Sequence, residues 1–131
     1  MTATIAITIK HKSVVAASPK GGHKRIHKGD DVKWFNDTRI KPDARGIQLQ
    51  FTEFDYGGSA TPVWLFGNIQ PTPGIDFDKA NGIVRIGPDL PFTAALDTIG
   101  CFEYTVSVLQ AGSSNVDGNF EALDPIIIID R

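Results

Sequence analysis

Residues 27–38 read HKGDDVKWFNDT, and the fold can be worked outward from this stretch. Lys28-Gly29-Asp30 has the makings of a tight turn: glycine tolerates positive φ, and an aspartate side chain can bond the backbone just ahead of it. Beyond the turn, Val32 and Trp34 share one face of an extended segment, while Lys33 and Phe35 share the other. Asn36-Asp37 supplies a second pair of turn formers and closes the strand. A large aromatic on the same face as a β-branched residue marks a strand with one face in a core. Trp34 is therefore expected between two sheets.

The same period of two recurs along the chain. Thr2 to Lys10 places Ala3, Ile5, Ile7 and Ile9 on one face and Thr2, Thr4, Ala6 and Thr8 on the other. Ile47, Leu49 and Phe51 alternate inward against Gln48, Gln50 and Thr52, and Phe102, Tyr104, Val106 and Val108 against Cys101, Glu103, Thr105 and Ser107. Shorter extended pieces are expected at 13–17 and 23–27, and Phe92 to Leu96 fits a strand or one helical turn. Val63-Trp64-Leu65-Phe66 is a short apolar segment, either buried on both sides or at an edge. Asn81-Gly82, between Phe77 and Ile83, signals a hairpin. Pro42 and Pro71-Thr72-Pro73-Gly74 mark loops. About eight short strands and no amphipathic helix of normal length give an all-β fold class, an antiparallel Greek-key β-sandwich. At 131 residues, the span 1–131 reads as a single domain.

Three pieces of this pattern resemble the cupredoxins, the blue-copper β-sandwiches. Gly29-Asp30-Asp31-Val32-Lys33-Trp34-Phe35-Asn36 is similar to that family's Gly-Asp-x-Val-x-Trp-x-Asn corner, and Gly100 to Val106 to its strand ending in cysteine. The apolar strand Ile126 to Ile129 is the third. The resemblance implies a cupredoxin-like fold and says where copper ligands would stand. The first histidine belongs shortly after Asn36-Asp37, where this chain has Thr38, Arg39, Ile40, Lys41 and Pro42. The cysteine position is Val106, and residues 109–125 hold neither His nor Met. A blue-copper centre needs two imidazoles, a thiolate and a weak axial ligand. The resemblance therefore implies the fold without its copper, and no cofactor is expected.

Composition narrows the remaining classes. One cysteine excludes an intrachain disulfide. MTATIAITIKHK lacks the basic start of a signal peptide, and no run is long enough to span a bilayer, so the expectation is a soluble cytoplasmic protein with no membrane partner. The net charge of −2 is unevenly spread. Residues 1–45 hold 10 Lys and Arg against 4 acids, for 10 − 4 = +6, and the rest holds 3 against 11, for 3 − 11 = −8. Such asymmetry can mark an anion-binding face. Early and late strands interleave in a sandwich, however, so the charges are expected to neutralise one another across neighbouring elements. Lys20, Lys24, Arg25 and Lys28 lack interleaved aromatics, which argues against nucleic acid.

No enzyme is expected. Ser59 and Ser113-Ser114 lack the Gly-x-Ser-x-Gly turn of a nucleophile elbow, and Cys101 has no CxxC partner. Asp76-Phe-Asp78-Lys-Ala-Asn81-Gly82 departs from a calcium loop at its fifth and sixth positions. Asp76/Asp78 reads as a solvated strand end. An unconventional metal or redox site from His11, His23 and His27 is the alternative reading, His23 and His27 having an even spacing that puts them on one strand face. The preferred reading is a non-enzymatic binding or assembly module, acting through its loop end or an edge strand. Arg39, Lys41 and Arg45 are its candidate binding residues, placed to meet an acidic protein or small anionic ligand, or to pair with Asp117, Glu121 and Asp124 of the facing loop. Because Ile126 to Ile129 is apolar on both faces, either residues 109–125 or a second subunit should cover its outer side, and a homodimer is expected.

Overall fold

The alternation written into the sequence becomes two facing sheets. The computed structural model describes residues 2–10, 13–18, 23–37, 45–54 and 61–131. Among these are ten strands: β1 (Thr2–Lys10), β2 (Ser13–Ser18), β3 (Lys24–His27), β4 (Asp31–Asn36), β5 (Ile47–Glu53), β6 (Ile75–Asp78), β7 (Ile83–Ile86), β8 (Pro91–Ala95), β9 (Gly100–Val108) and β10 (Ile126–Asp130). They form a four-stranded sheet, β2-β1-β4-β8, and a six-stranded sheet, β3-β10-β9-β5-β7-β6. Among the described residues no helix is long and apolar enough to cross a membrane.

The all-β fold class expected from the sequence is realised, in two sheets that are mixed and not antiparallel throughout. β1 runs parallel to β4, and β3 parallel to β10. Period-two alternation reports which face is buried but not which strand lies alongside. A chain that leaves one sheet and returns through the other can come back in either direction. The strand number also rises, because β2, β3 and the hairpin pair β6 and β7 all form. Phe92 lies on a strand, not a helical turn. Val63 to Phe66 is no strand: Leu65 and Phe66 are buried in the core, with Val63 and Trp64 packed against it.

Trp34 stands where both sheets meet. It is fully buried, as are Ile5, Ile47, Leu49, Phe51 and Val106. Phe92, in register with Trp34 on the same sheet, stacks at 6.0 Å between ring centroids. From the opposite sheet, Phe51 and Tyr104 meet it edge-on at 5.6 and 5.9 Å, and Phe66 closes the cluster at 5.8 Å. Edge-to-face pairs of this kind add about 0.5–1.5 kcal/mol each beyond the area they bury.

The hairpin signal at Asn81-Gly82 is realised through a 3₁₀ turn, Lys79–Asn81, followed by Gly82 at φ 65°. Glycine is required there twice over. The left-handed backbone disfavours any side chain, and a Cβ would sit 2.6 Å from the carbonyl oxygens of both Phe51 and Val63. Phe51 donates its N–H to the Gly82 carbonyl at 2.8 Å, so the turn is tied to the core strand.

β10 lies between β3 and β9, with Ile127 and Ile129 buried and Ile126 and Ile128 half-buried on the outer side. Among the described residues the groove over those two isoleucines, about 430 Å³, is otherwise lined by His23, Lys24 and Arg25. The segment before β10 pairs alongside β9 instead: Val106 and Leu123 exchange backbone hydrogen bonds at 2.7 and 3.1 Å, and Asp117 N–H reaches the Val108 carbonyl at 2.8 Å.

Trp34→Ala is expected to cost about 3–5 kcal/mol in denaturant unfolding, the range for removing a buried large aromatic. A midpoint that barely moves would put Trp34 on the wrong face. Gly82→Ala should also destabilise, by more than the about 1 kcal/mol that relieves unfolded-chain entropy elsewhere, because the added methyl meets two backbone oxygens. An unchanged or raised melting temperature would contradict that geometry.

Candidate functional site

The end of β4 is fixed to the other sheet by one side chain. Asn36, almost fully buried, donates its amide Nδ2 toward the carbonyls of Arg45, Ile86 and Gly87 at 2.9, 3.2 and 3.0 Å. Three backbone acceptors from the start of β5 and the end of β7 thus converge on one amide group. This is the asparagine of the corner motif, and its work here is to close the end of the sandwich.

Arg45 lies just beyond that lock. Its Nη1 donates to the Leu109 carbonyl and to Asp117 Oδ2, both at 3.0 Å, and its guanidinium lies 5.2 Å from the centroid of the Phe120 ring. The pair is mostly shielded, with side chains 15% and 13% exposed. Asp117 is held below the usual carboxylate range, chiefly because it accepts the Asn119 N–H and then because Arg45 bonds it. The sequence expectation that Arg45 pairs with Asp117 of the facing loop is met. Arg39 and Lys41 lie outside the described residues.

A polar ladder crosses the outer face of the six-stranded sheet. Ser107, Gln48, Arg85 and Asp76 stand in register on β9, β5, β7 and β6. Gln48 and Ser107 are nearly buried, and Gln48 Oε1 accepts from Arg85 Nε at 3.2 Å. An open groove of about 400 Å³ lies beside Asp76 and Arg85, with Gln110, Ser113 and Ser114 on its far wall.

At the opposite edge of that sheet the histidines serve the backbone of β10. His23 Nδ1 accepts the Ile126 N–H at 3.0 Å, and His27 Nδ1 lies 2.9 Å from the Arg131 carbonyl. Between them Arg25 pairs with Asp130 at 3.6 Å, both well exposed. Four residues of strand put His23 and His27 roughly 13 Å apart at ~3.3 Å per residue, too far to share one ion. His11 lies outside the described residues. Among the described residues no three His, Cys, Asp or Glu side chains group closely enough to hold a metal. Cys101 is exposed on the outer face of β9, opposite Ile128.

Sequence reading missed what the edges have in common. Asp76 and Asp78 read as a solvated strand end, and they do occupy the outer face of β6, which is the far edge of the six-stranded sheet from β3. Only the pairing order makes the two edges comparable, and no local pattern encodes it.

No protein-family model matches the chain, and no curated protein matches it. Among solved structures it is similar to a copper nitrite reductase from Nitrosomonas europaea, at 15% sequence identity and a TM-score of 0.44. The likeness covers 99% of this chain and 42% of that one, so the chain spans less than half the length of the reductase.

A carboxylate with a lowered pKa stabilises the fold above its unfolded value, ordinarily about 3.9, and loses that contribution as pH falls through the lowered one. Asp117→Asn is therefore expected to reduce stability at neutral pH and to flatten its acid dependence. Denaturant titrations of both proteins from neutral to strongly acid pH check this. Parallel curves would mean that Asp117 is not selectively stabilised in the fold.

Proposed function

We propose that this chain is a non-enzymatic binding or assembly module of cupredoxin-like form that works without copper. Its contacts are made through the edges of the six-stranded sheet and the loop end, with Arg39, Lys41 and Arg45 as its proposed binding residues. One observation carries this reading: Asn36 and Arg45 at the loop end are engaged in holding the chain together, whereas among the described residues β3 and β6 each have a strand on one side only. Backbone at a sheet edge keeps pairing capacity, and adding a strand there is a recurrent way to bind. The basic loop residues favour an acidic protein or a small anion as a further partner.

The reading is tested against its metal alternative by a copper titration followed in the visible. An intense blue band needs a cysteine sulfur bound beside imidazoles. Cys101 is roughly 16 Å along β9 from Val106, at ~3.3 Å per residue. Added Cu(II) is expected to give no such band, and weak binding should be lost in His23→Ala and His27→Ala. A strong band abolished by Cys101→Ser would overturn the copper-free reading.

A further inference from the structure

The two outer edges of the six-stranded sheet match each other. β3 carries Lys24-Arg25-Ile26-His27, with Arg25 and His27 exposed on the outer face and Ile26 buried on the inner. β6 carries Ile75-Asp76-Phe77-Asp78, with Asp76 and Asp78 on the outer face and Ile75 and Phe77 on the inner. Arg25 on one edge corresponds to Asp76 on the other, His27 to Asp78 and Ile26 to Phe77, while Lys24 falls against Ile75.

Strand direction matches as well. β10 is antiparallel to β9, β9 to β5, β5 to β7 and β7 to β6. Four reversals return to the starting direction, and β3 is parallel to β10. β6 therefore runs the same way as β3. A second copy displaced across the sheet, with the same face outward, brings its β6 against β3 of the first. Asp76 then lies beside Arg25, Phe77 beside Ile26, and Asp78 beside His27. Among the described residues the four-stranded sheet behind is two strands narrower, 6 − 4.

We infer that a second copy of this chain is the partner of these edges, joined head to tail by parallel pairing of β3 with β6. This rests on the assembly reading above and names its partner. Charges at sheet edges ordinarily prevent association. Here the sign differs between the edges, so β3 against β3 sets cation on cation and β6 against β6 sets carboxylate on carboxylate. Like charges directly opposed across strands destabilise and opposite ones stabilise. Only the unlike junction is favoured. Such a contact is heterologous: it leaves a free β3 at one end and a free β6 at the other, so copies add into rows or rings and do not stop at a dimer. A groove of about 520 Å³ runs between β3 and Ala3 of the other sheet, and its lining includes Asp30 and Asp31 as well as the residues of β3. Asp30 already accepts the His27 N–H at 3.3 Å, so that donor at one end of the edge is engaged within the chain. Four-residue edges make the association weak, concentration-dependent and sensitive to salt, since the charged pairs stay near solvent.

Light scattering or sedimentation of the intact chain over a wide concentration range tests this. At low salt the weight-average mass should climb beyond twice the monomer's as concentration rises, and high salt should return it toward the monomer. Arg25→Glu and Asp76→Lys should each remain at the monomer mass while keeping the wild-type circular dichroism spectrum. Mixing those two variants should restore assembly, because each supplies the charge the other lacks; a variant that was merely unstable would not be rescued by its partner. A wild-type chain that stays monomeric at every salt overturns the inference. So does association that survives both reversals, or a monomer that instead binds a labelled polyglutamate peptide through β3. None of these outcomes depends on the copper titration, so loss of this partner and loss of the copper-free reading are told apart.

Discussion

The packing of Trp34 between the sheets is the contact on which the rest of this structure depends. It brings rings from β5, β8 and β9 and from the connection after β5 into one cluster. Burial pushes the Tyr104 phenol well above its usual range, and the indole nitrogen of Trp34 offsets this only in part. That nitrogen has no partner with hydrogen-bond geometry among the described residues. Leaving a buried donor unpaired costs about 1–3 kcal/mol. The several kcal/mol of packing that the ring supplies exceed that cost.

How much of this was legible follows from what alternation encodes. Val32 and Trp34, Ile47 to Phe51 and Phe102 to Val108 announced both strand and buried face, because a period of two fixes side-chain direction. Alternation carries no information about neighbours, so the parallel pairs β1–β4 and β3–β10 were invisible. The burial of Leu65 and Phe66 could be read from their apolar run, but a run of four cannot say whether it is a strand or an irregular plug. Gly82 was recognised as a turn residue, but the two carbonyl oxygens that make it obligatory come from Phe51 and Val63.

The candidate site was legible in part. The facing-loop pairing of Arg45 with Asp117 could be anticipated from charge, whereas the Asn36 lock could not, since its acceptors are backbone atoms far along the chain. The division of charge between the first 45 residues and the remainder is partly neutralised where early and late elements meet, as at Arg25 with Asp130. Lys24 and Arg25 on β3, the latter already paired with Asp130, lie on the opposite edge of one sheet from Asp76 and Asp78 on β6, a relation that exists only once the strand order is known.

The central claim is that the six-stranded sheet is the working surface and that its two edges act together. Backbone amide hydrogen exchange, compared between dilute and concentrated protein at low salt, tests it most directly. Amides of Lys24–His27 and Ile75–Asp78 should gain protection together as concentration rises, while those of residues 92–95 on β8, an edge of the other sheet, should not change. Protection that is independent of concentration at both β3 and β6, or that appears at β8 instead, would contradict the account.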